Sequence, residues 1–256
     1  MIRKIFFSSV LIFSIFNSVA QTEKIKNWHF EIRYDKDVEA YALSSAHILN
    51  FVWDKLEETG FNPPNRLKFN LVKSERDILF LDRGKQIITL EYTTLDMSKT
   101  WRNYVYGLCH EMGHLCMFQI IPNRNNWMTI AYREGWAHVL GDSMTVLLHE
   151  KNGIDVWPTP YNYLSISNAW KSNRIQVIEK DENQVDFFIS VAFWEKLVEE
   201  MGIDKMPYFF RQVKSNRVRN PNADKKFRAE LVKLNISSDL LNYFDQNKQY
   251  LIRLEK

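Results

Sequence analysis

Within YVYGLCHEMGHLCMFQII, residues 104–121, two histidines stand four apart with a carboxylate directly after the first: His110-Glu111-Met112-Gly113-His114. On a helix, residues four apart share a face with their Cβ atoms about 5–6 Å from one another. Both imidazoles can therefore point a nitrogen at one metal ion. Glu111, one step round from His110, sits beside an open coordination position, where a carboxylate takes the proton of a metal-activated water as it attacks a carbonyl. Chance alone produces such a pentad in roughly one per cent of chains of this length. The reading therefore needs a third ligand.

A third histidine six residues beyond His114, preceded by a glycine, would make the metzincin pattern, but Ile120 and Met117 occupy those positions. The remaining source is a glutamate on a second helix. WMTIAYREGWAH, residues 127–138, supplies Glu134, with nineteen residues between it and His114. The Pro122-Asn123-Arg124-Asn125-Asn126 run breaks the first helix and lets the second fold back antiparallel. His, His and Glu plus one water is the open four-coordinate arrangement of a hydrolytic zinc site. His138, four after Glu134, shares its face and is read either as a partner of the site or as a core or rim histidine; Asp142, one turn on, could orient a ligand imidazole, although a solvated or capping carboxylate is the commoner role.

HEMGH followed by REGWA resembles the gluzincin metallopeptidases, in which the glutamate ligand stands in an E-G-x-A context on the helix after the zinc helix, as in aminopeptidase-N-like enzymes and the basic secretory protein peptidases. The order of elements agrees over roughly residues 28–213, and the motifs are specific over 106–142. The resemblance implies an α+β, thermolysin-like catalytic domain and a zinc peptidase acting on peptide or protein substrates. It assigns zinc to His110, His114 and Glu134, and the role of general base to Glu111. Where such enzymes carry an oxyanion-stabilising tyrosine, this chain has Phe187 or Phe188. The alternative donors are Tyr161, Tyr163 and His138, and loss of one such donor typically slows catalysis by about two to three orders of magnitude. The family's amine-reading glutamate has its nearest counterpart in Glu91 of ITLEY, without the flanking glycine and asparagine. That leaves endopeptidase action at least as well supported as aminopeptidase action. Two alternatives stand beside the peptidase: a zinc-containing binding protein derived from one, and a zinc hydrolase of a non-peptide amide.

The elements that must position these residues follow from periodicity. FEIRYD and its approach alternate at Trp28, Phe30, Ile32 and Tyr34, a strand period, and residues 38–56 carry apolar positions at spacings of three and four, a helical stripe. Gly60 and Pro63-Pro64 end that helix. Strands are predicted at RLKFNLVKS and GKQIITLEY, the latter as an edge able to pair with an extended peptide. Helices are predicted over about 100–121, 128–149, 185–201, 204–213, 223–234 and 238–254, with an irregular stretch over 152–184. Gly113 and Gly135 each cost a helix about 1 kcal/mol relative to alanine, and close packing of the two ligand helices is the expected reason. His29, His47 and His149 lie at no ligand spacing.

MIRKIFFSSVLIFSIFNSVA, residues 1–20, reads as a secretory signal: a basic start, an apolar stretch from Ile5 to Phe16, and small residues at the cut. The apolar run is shorter than the roughly 20 residues that span a bilayer. This makes 21–256 a single catalytic domain, secreted or periplasmic, with no integral membrane segment after cleavage. With Arg3 and Lys4 set aside, 32 basic residues face 31 acidic ones, a balance that gives no argument for nucleic acid or an anionic membrane. Cys109 and Cys116, seven helical steps and so about 10.5 Å apart, are too distant for a disulfide. They are expected to be free, buried thiols.

Overall fold

The computed structural model describes residues 22–75, 78–82, 85–93, 97–121, 127–152, 185–214 and 222–252. The signal-like segment 1–20, the Pro-Asn run 122–126 and the stretch containing Tyr161 and Tyr163 lie outside them, as does the side chain of His149. The fold is α+β: a five-stranded mixed sheet followed by a helical portion.

The strands are β1 (Thr22–Lys26), β2 (Phe30–Asp35), β3 (Leu67–Lys73), β4 (Ile78–Asp82) and β5 (Ile87–Tyr92), in spatial order β1-β2-β3-β5-β4. β2, β3 and β5 run parallel, with Ile32 beside Phe69 and Phe69 beside Ile88, and the antiparallel β1 and β4 form the two edges. A parallel β2–β3 pair requires a crossover, which α1 (Glu39–Glu58) provides. Phe30, Ile32, Leu67, Phe69 and Ile88 bury one face of the sheet, and Ile48, Leu49, Val52, Trp53 and Leu56 of α1 join the same core. α1 closes in a Schellman turn: Gly60 takes φ +83°, its N–H bonds Glu57 O at 2.9 Å, and Phe61 N–H bonds Leu56 O at 2.9 Å.

Three expectations change. Trp28 is not an inward strand residue but 91% exposed at the tip of the β1–β2 turn. There Asn27 Oδ1 accepts from the backbone N–H of His29 and Phe30 at 2.9 and 2.8 Å, turning the chain before the strand begins. The strand at residues 87–92 is not an edge, because β5 is paired on both sides and β4 carries the open edge. β1, whose sequence TEKIK is mainly charged, and β4 were not expected as strands. Lysines on an outer strand are a usual guard against edge-to-edge pairing.

The helical portion comprises α2 (Met97–Ile120), α3 (Ile130–Asn152), α4 (Val185–Met201), α5 (Met206–Val213), α6 (Ala223–Lys233) and α7 (Ser238–Leu251). α2 is central, with Leu108, Met112, Cys116 and Met117 wholly buried. An aromatic core of Trp136, Trp194, Phe193, Phe209, Phe210 and Phe227 ties α3 to α4, α5 and α6. The two indoles of this cluster are satisfied by helix carbonyls. Trp136 Nε1 donates to Gly113 O at 3.1 Å and Trp194 Nε1 to Tyr132 O at 2.9 Å. These bonds fix α3 on α2 and α4 on α3. Three basic residues near the end of the chain pair with acids: Arg228 with Asp245, Lys248 with Asp224, and Lys233 with Glu230. Among the described residues no helix is long and apolar enough to cross a membrane.

Candidate metal centre

Small residues let α2 and α3 approach closely where the ligands sit. A Cβ built on Gly113 would lie 3.0 Å from Ala137 Cα, and one on Gly141 would lie 3.2 Å from both the N and the Cα of His110. The two backbones therefore run antiparallel in near contact, with 113 facing 137 and 110 facing 141. Gly135 does something else. Its added Cβ would meet Ser190 of α4, 2.4 Å from Oγ and 2.8 Å from the backbone carbon. It admits α4 rather than α2, correcting the expectation for that glycine.

The start of α3, which carries Glu134, is held at several points. Thr129 Oγ1 accepts from Tyr132 N–H at 3.0 Å as an N-cap. Thr129 N–H in turn bonds Leu251 O at 3.1 Å, beside a β-bridge between Met128 and Ile252. Arg133 Nε reaches Thr129 O at 3.3 Å. Glu134 is thus presented from a capped, anchored first turn.

The predicted ligands converge. Glu134 Oε2 lies 3.3 Å from His110 Nε2 and 3.1 Å from His114 Nε2. The three ligand atoms all fall within 4.8 Å of one another. Ligands held at about 2.1 Å around a tetrahedral ion stand about 3.4 Å apart, so the carboxylate-to-imidazole spacings fit such an ion with little adjustment. The imidazole planes of His110 and His114 are nearly perpendicular, at 89°, and His114 stacks on Phe118 with 6.2 Å between centroids. His114 is buried, while Glu134 and His110 keep partial exposure, so the cluster is walled on one side and reachable on the other. Burial on its own would raise the Glu134 carboxyl. Hydrogen bonds from His110 and His114 outweigh it and hold the group well below the usual carboxylate range. An anionic carboxylate between two imidazole nitrogens is a donor set in which a divalent cation can replace the bridging protons.

Glu111 is half-buried on α2 between the two histidine turns. His138 is buried. Its Nδ1 hydrogen-bonds the Tyr106 hydroxyl, its Nε2 lies 3.8 Å from Asp142 Oδ2, and its ring meets Phe187 edge-on at 5.2 Å. Burial first, then the nearby His110, pulls its pKa down to about 3, so the ring is neutral. Asp142 lies beside His138. Phe187 and Phe188 are half-buried against the core. Glu91 accepts from Ser74 Oγ at 3.3 Å and lines a shallow hollow with Lys73 and Glu75. His29 packs on Trp53 at 4.7 Å and His47 is exposed. Cys109 and Cys116 are free and buried, and burial pushes the Cys109 thiol up to about 12.

Sequence reasoning missed Tyr106, whose hydroxyl also lies 3.4 Å from His110 Nδ1. The available signal was its position one turn before His110, on the face that already carries His110 and His114. No family model matches the chain, and no curated protein matches it.

Proposed function

We propose that the protein is an exported zinc-dependent peptidase of gluzincin type, with a thermolysin-like arrangement of sheet and ligand helices. The observation that carries the reading is the convergence of His110 Nε2, His114 Nε2 and Glu134 Oε2 from two helices, next to a carboxylate at the one sequence position where HExxH chemistry needs it. Zinc, when bound by these three, supplies Lewis acidity that polarises a carbonyl and acidifies a water. Glu111 takes the proton from the attacking water and delivers it to the leaving amine. The open edge of β4 offers backbone groups to an extended substrate. Leu79 of β4 packs at Gly107, one turn before His110, which puts this edge on the ligand helix.

The test is zinc content together with hydrolysis of a mixed peptide library by wild type and Glu111→Gln. We expect equal zinc in both and a loss of about 10²–10⁴ in rate in the variant. Zinc in both with no cleavage by wild type above the variant's background would overturn the catalytic reading. A second reading, a zinc-containing binding protein with little or no catalysis, is favoured by Phe187. It packs an apolar ring on His138 at 5.2 Å where the resemblance calls for a hydroxyl.

A further inference from the structure

His110 approaches Glu134 through Nε2, so if that nitrogen is the metal ligand the ring must carry its proton on Nδ1. Nδ1 faces the Tyr106 hydroxyl at 3.4 Å, the outer edge of hydrogen-bond distance. The Tyr106 hydroxyl also contacts His138 Nδ1, and His138 Nε2 faces Asp142 Oδ2 at 3.8 Å. Tyr106 and His110 are one turn apart on α2, and His138 and Asp142 are one turn apart on α3. Four polar side chains on two helices thus form one line leading away from the metal.

We propose that Tyr106, backed by His138 and Asp142, is a positioning strut that fixes the tautomer and ring orientation of His110. The inference rests on the metal-centre reading above. The direction of every bond follows from the first. His110 Nδ1–H donates to the Tyr106 oxygen, and the single phenolic proton is then committed to His138 Nδ1. His138 consequently carries its own proton on Nε2, pointing toward the Asp142 carboxylate. With His138 neutral, this is the assignment that gives each contact one donor and one acceptor while leaving His110 Nε2 a free lone pair.

Packing holds the line in place. The Tyr106 and His138 rings meet at 69° with 5.4 Å between centroids, and Phe187 of α4 closes the far side of His138. Gly141 makes the room, since a Cβ there would lie 3.2 Å from Tyr106 Cε2 as well as from the His110 backbone. A tyrosine hydroxyl is suited to this place because it accepts from one imidazole and donates to the next. A carboxylate there would accept from both and leave His138 in the opposite tautomer. Tyr106 is therefore not the oxyanion donor, because it addresses the nitrogen of His110 turned away from the metal.

Zinc affinity, measured by competition with a chromogenic chelator, separates the possibilities without any assay of hydrolysis. Tyr106→Phe keeps the ring and removes only the hydroxyl. It should weaken zinc binding by about 10–100-fold, the usual effect of losing such a partner. His138→Phe should do the same, and the double variant should be no weaker than either single one, because both break one chain. Histidine ¹⁵N spectra of zinc-loaded wild type should show His110 metallated at Nε2 with a slowly exchanging proton on Nδ1, and that proton should exchange fast in Tyr106→Phe. A Tyr106→Phe affinity within about twofold of wild type, or zinc on Nδ1 of His110, would overturn the strut while leaving the metal centre intact. Failure of wild type to take up zinc would overturn both. The wild-type spectrum decides the matter even if a variant fails to fold.

Discussion

Glu195 of α4 offers a pH test of how the helices around the site are packed. Burial first, then repulsion from Asp142 of α3 and from Glu199 one turn away, pushes its carboxyl from the ordinary 4.5 up to about 8. Its charge is also felt by Tyr243 of α7, whose hydroxyl donates to Ile189 O at 3.1 Å. In the unfolded chain Glu195 loses its proton near pH 4.5, whereas in the folded protein it keeps it until about pH 8. Between those values the folded state binds more protons, so stability falls as pH rises and is restored below 4.5. At about 1.36 kcal/mol per pH unit the ceiling of this loss is about 5 kcal/mol, and partial exposure of the carboxyl brings the expected effect to about 2–3 kcal/mol. Glu195→Gln keeps the shape without the charge. Urea unfolding of metal-free protein, followed by circular dichroism from pH 4 to 9, should show the two proteins alike at pH 4. The variant should then lead by about 2–3 kcal/mol at pH 8–9. A constant gap across the range, or a more stable wild type at pH 9, would refute the placement of an uncompensated carboxyl between α3, α4 and α7.

Gly135→Ala should destabilise by about 1–3 kcal/mol in urea unfolding, despite the roughly 1 kcal/mol that alanine adds to helix propensity, because the Ser190 backbone cannot withdraw. Gly141→Ala should lower zinc affinity by about tenfold in the chelator competition, since its Cβ presses on the His110 backbone and the Tyr106 ring together. Cys109 and Cys116 should resist an aromatic disulfide reagent in the native protein, and both should react in denaturant, read as the absorbance of the released aromatic thiolate.

The legible part of the molecule was the part written at helical spacing. His110 and His114 declare themselves because their relation is a single turn, and Glu134 follows from the breaker run that ends the first helix and from its EGWA setting on the next one. The α1 boundary could be read from Gly60 and the prolines, and Cys109 and Cys116 from their separation. What escaped was set by contacts between elements. β5 looked like an edge because strand order is not local, and β4, only five residues long, joins the sheet through pairing with β5. β1 is mainly charged and joins the sheet only by pairing with β2, Ile25 beside Ile32. Gly135 was assigned to the wrong neighbour because one residue along a helix turns the side chain by about 100°, away from α2 and onto α4. Tyr106 escaped because its partner His138 is 32 residues away across the helix pair.

The bond from Thr129 N–H to Leu251 O and the bridge between Met128 and Ile252 bear on when the site comes into being. His110, His114 and Glu134 all precede residue 135, yet the clasp on the first turn of Glu134's helix comes from residues more than a hundred further along the chain. Until residues 251 and 252 are in place, the helix that carries Glu134 begins without that clasp. Hydrolytic competence, in the reading proposed above, would thus depend on α7, a helix that contributes none of the three candidate ligands.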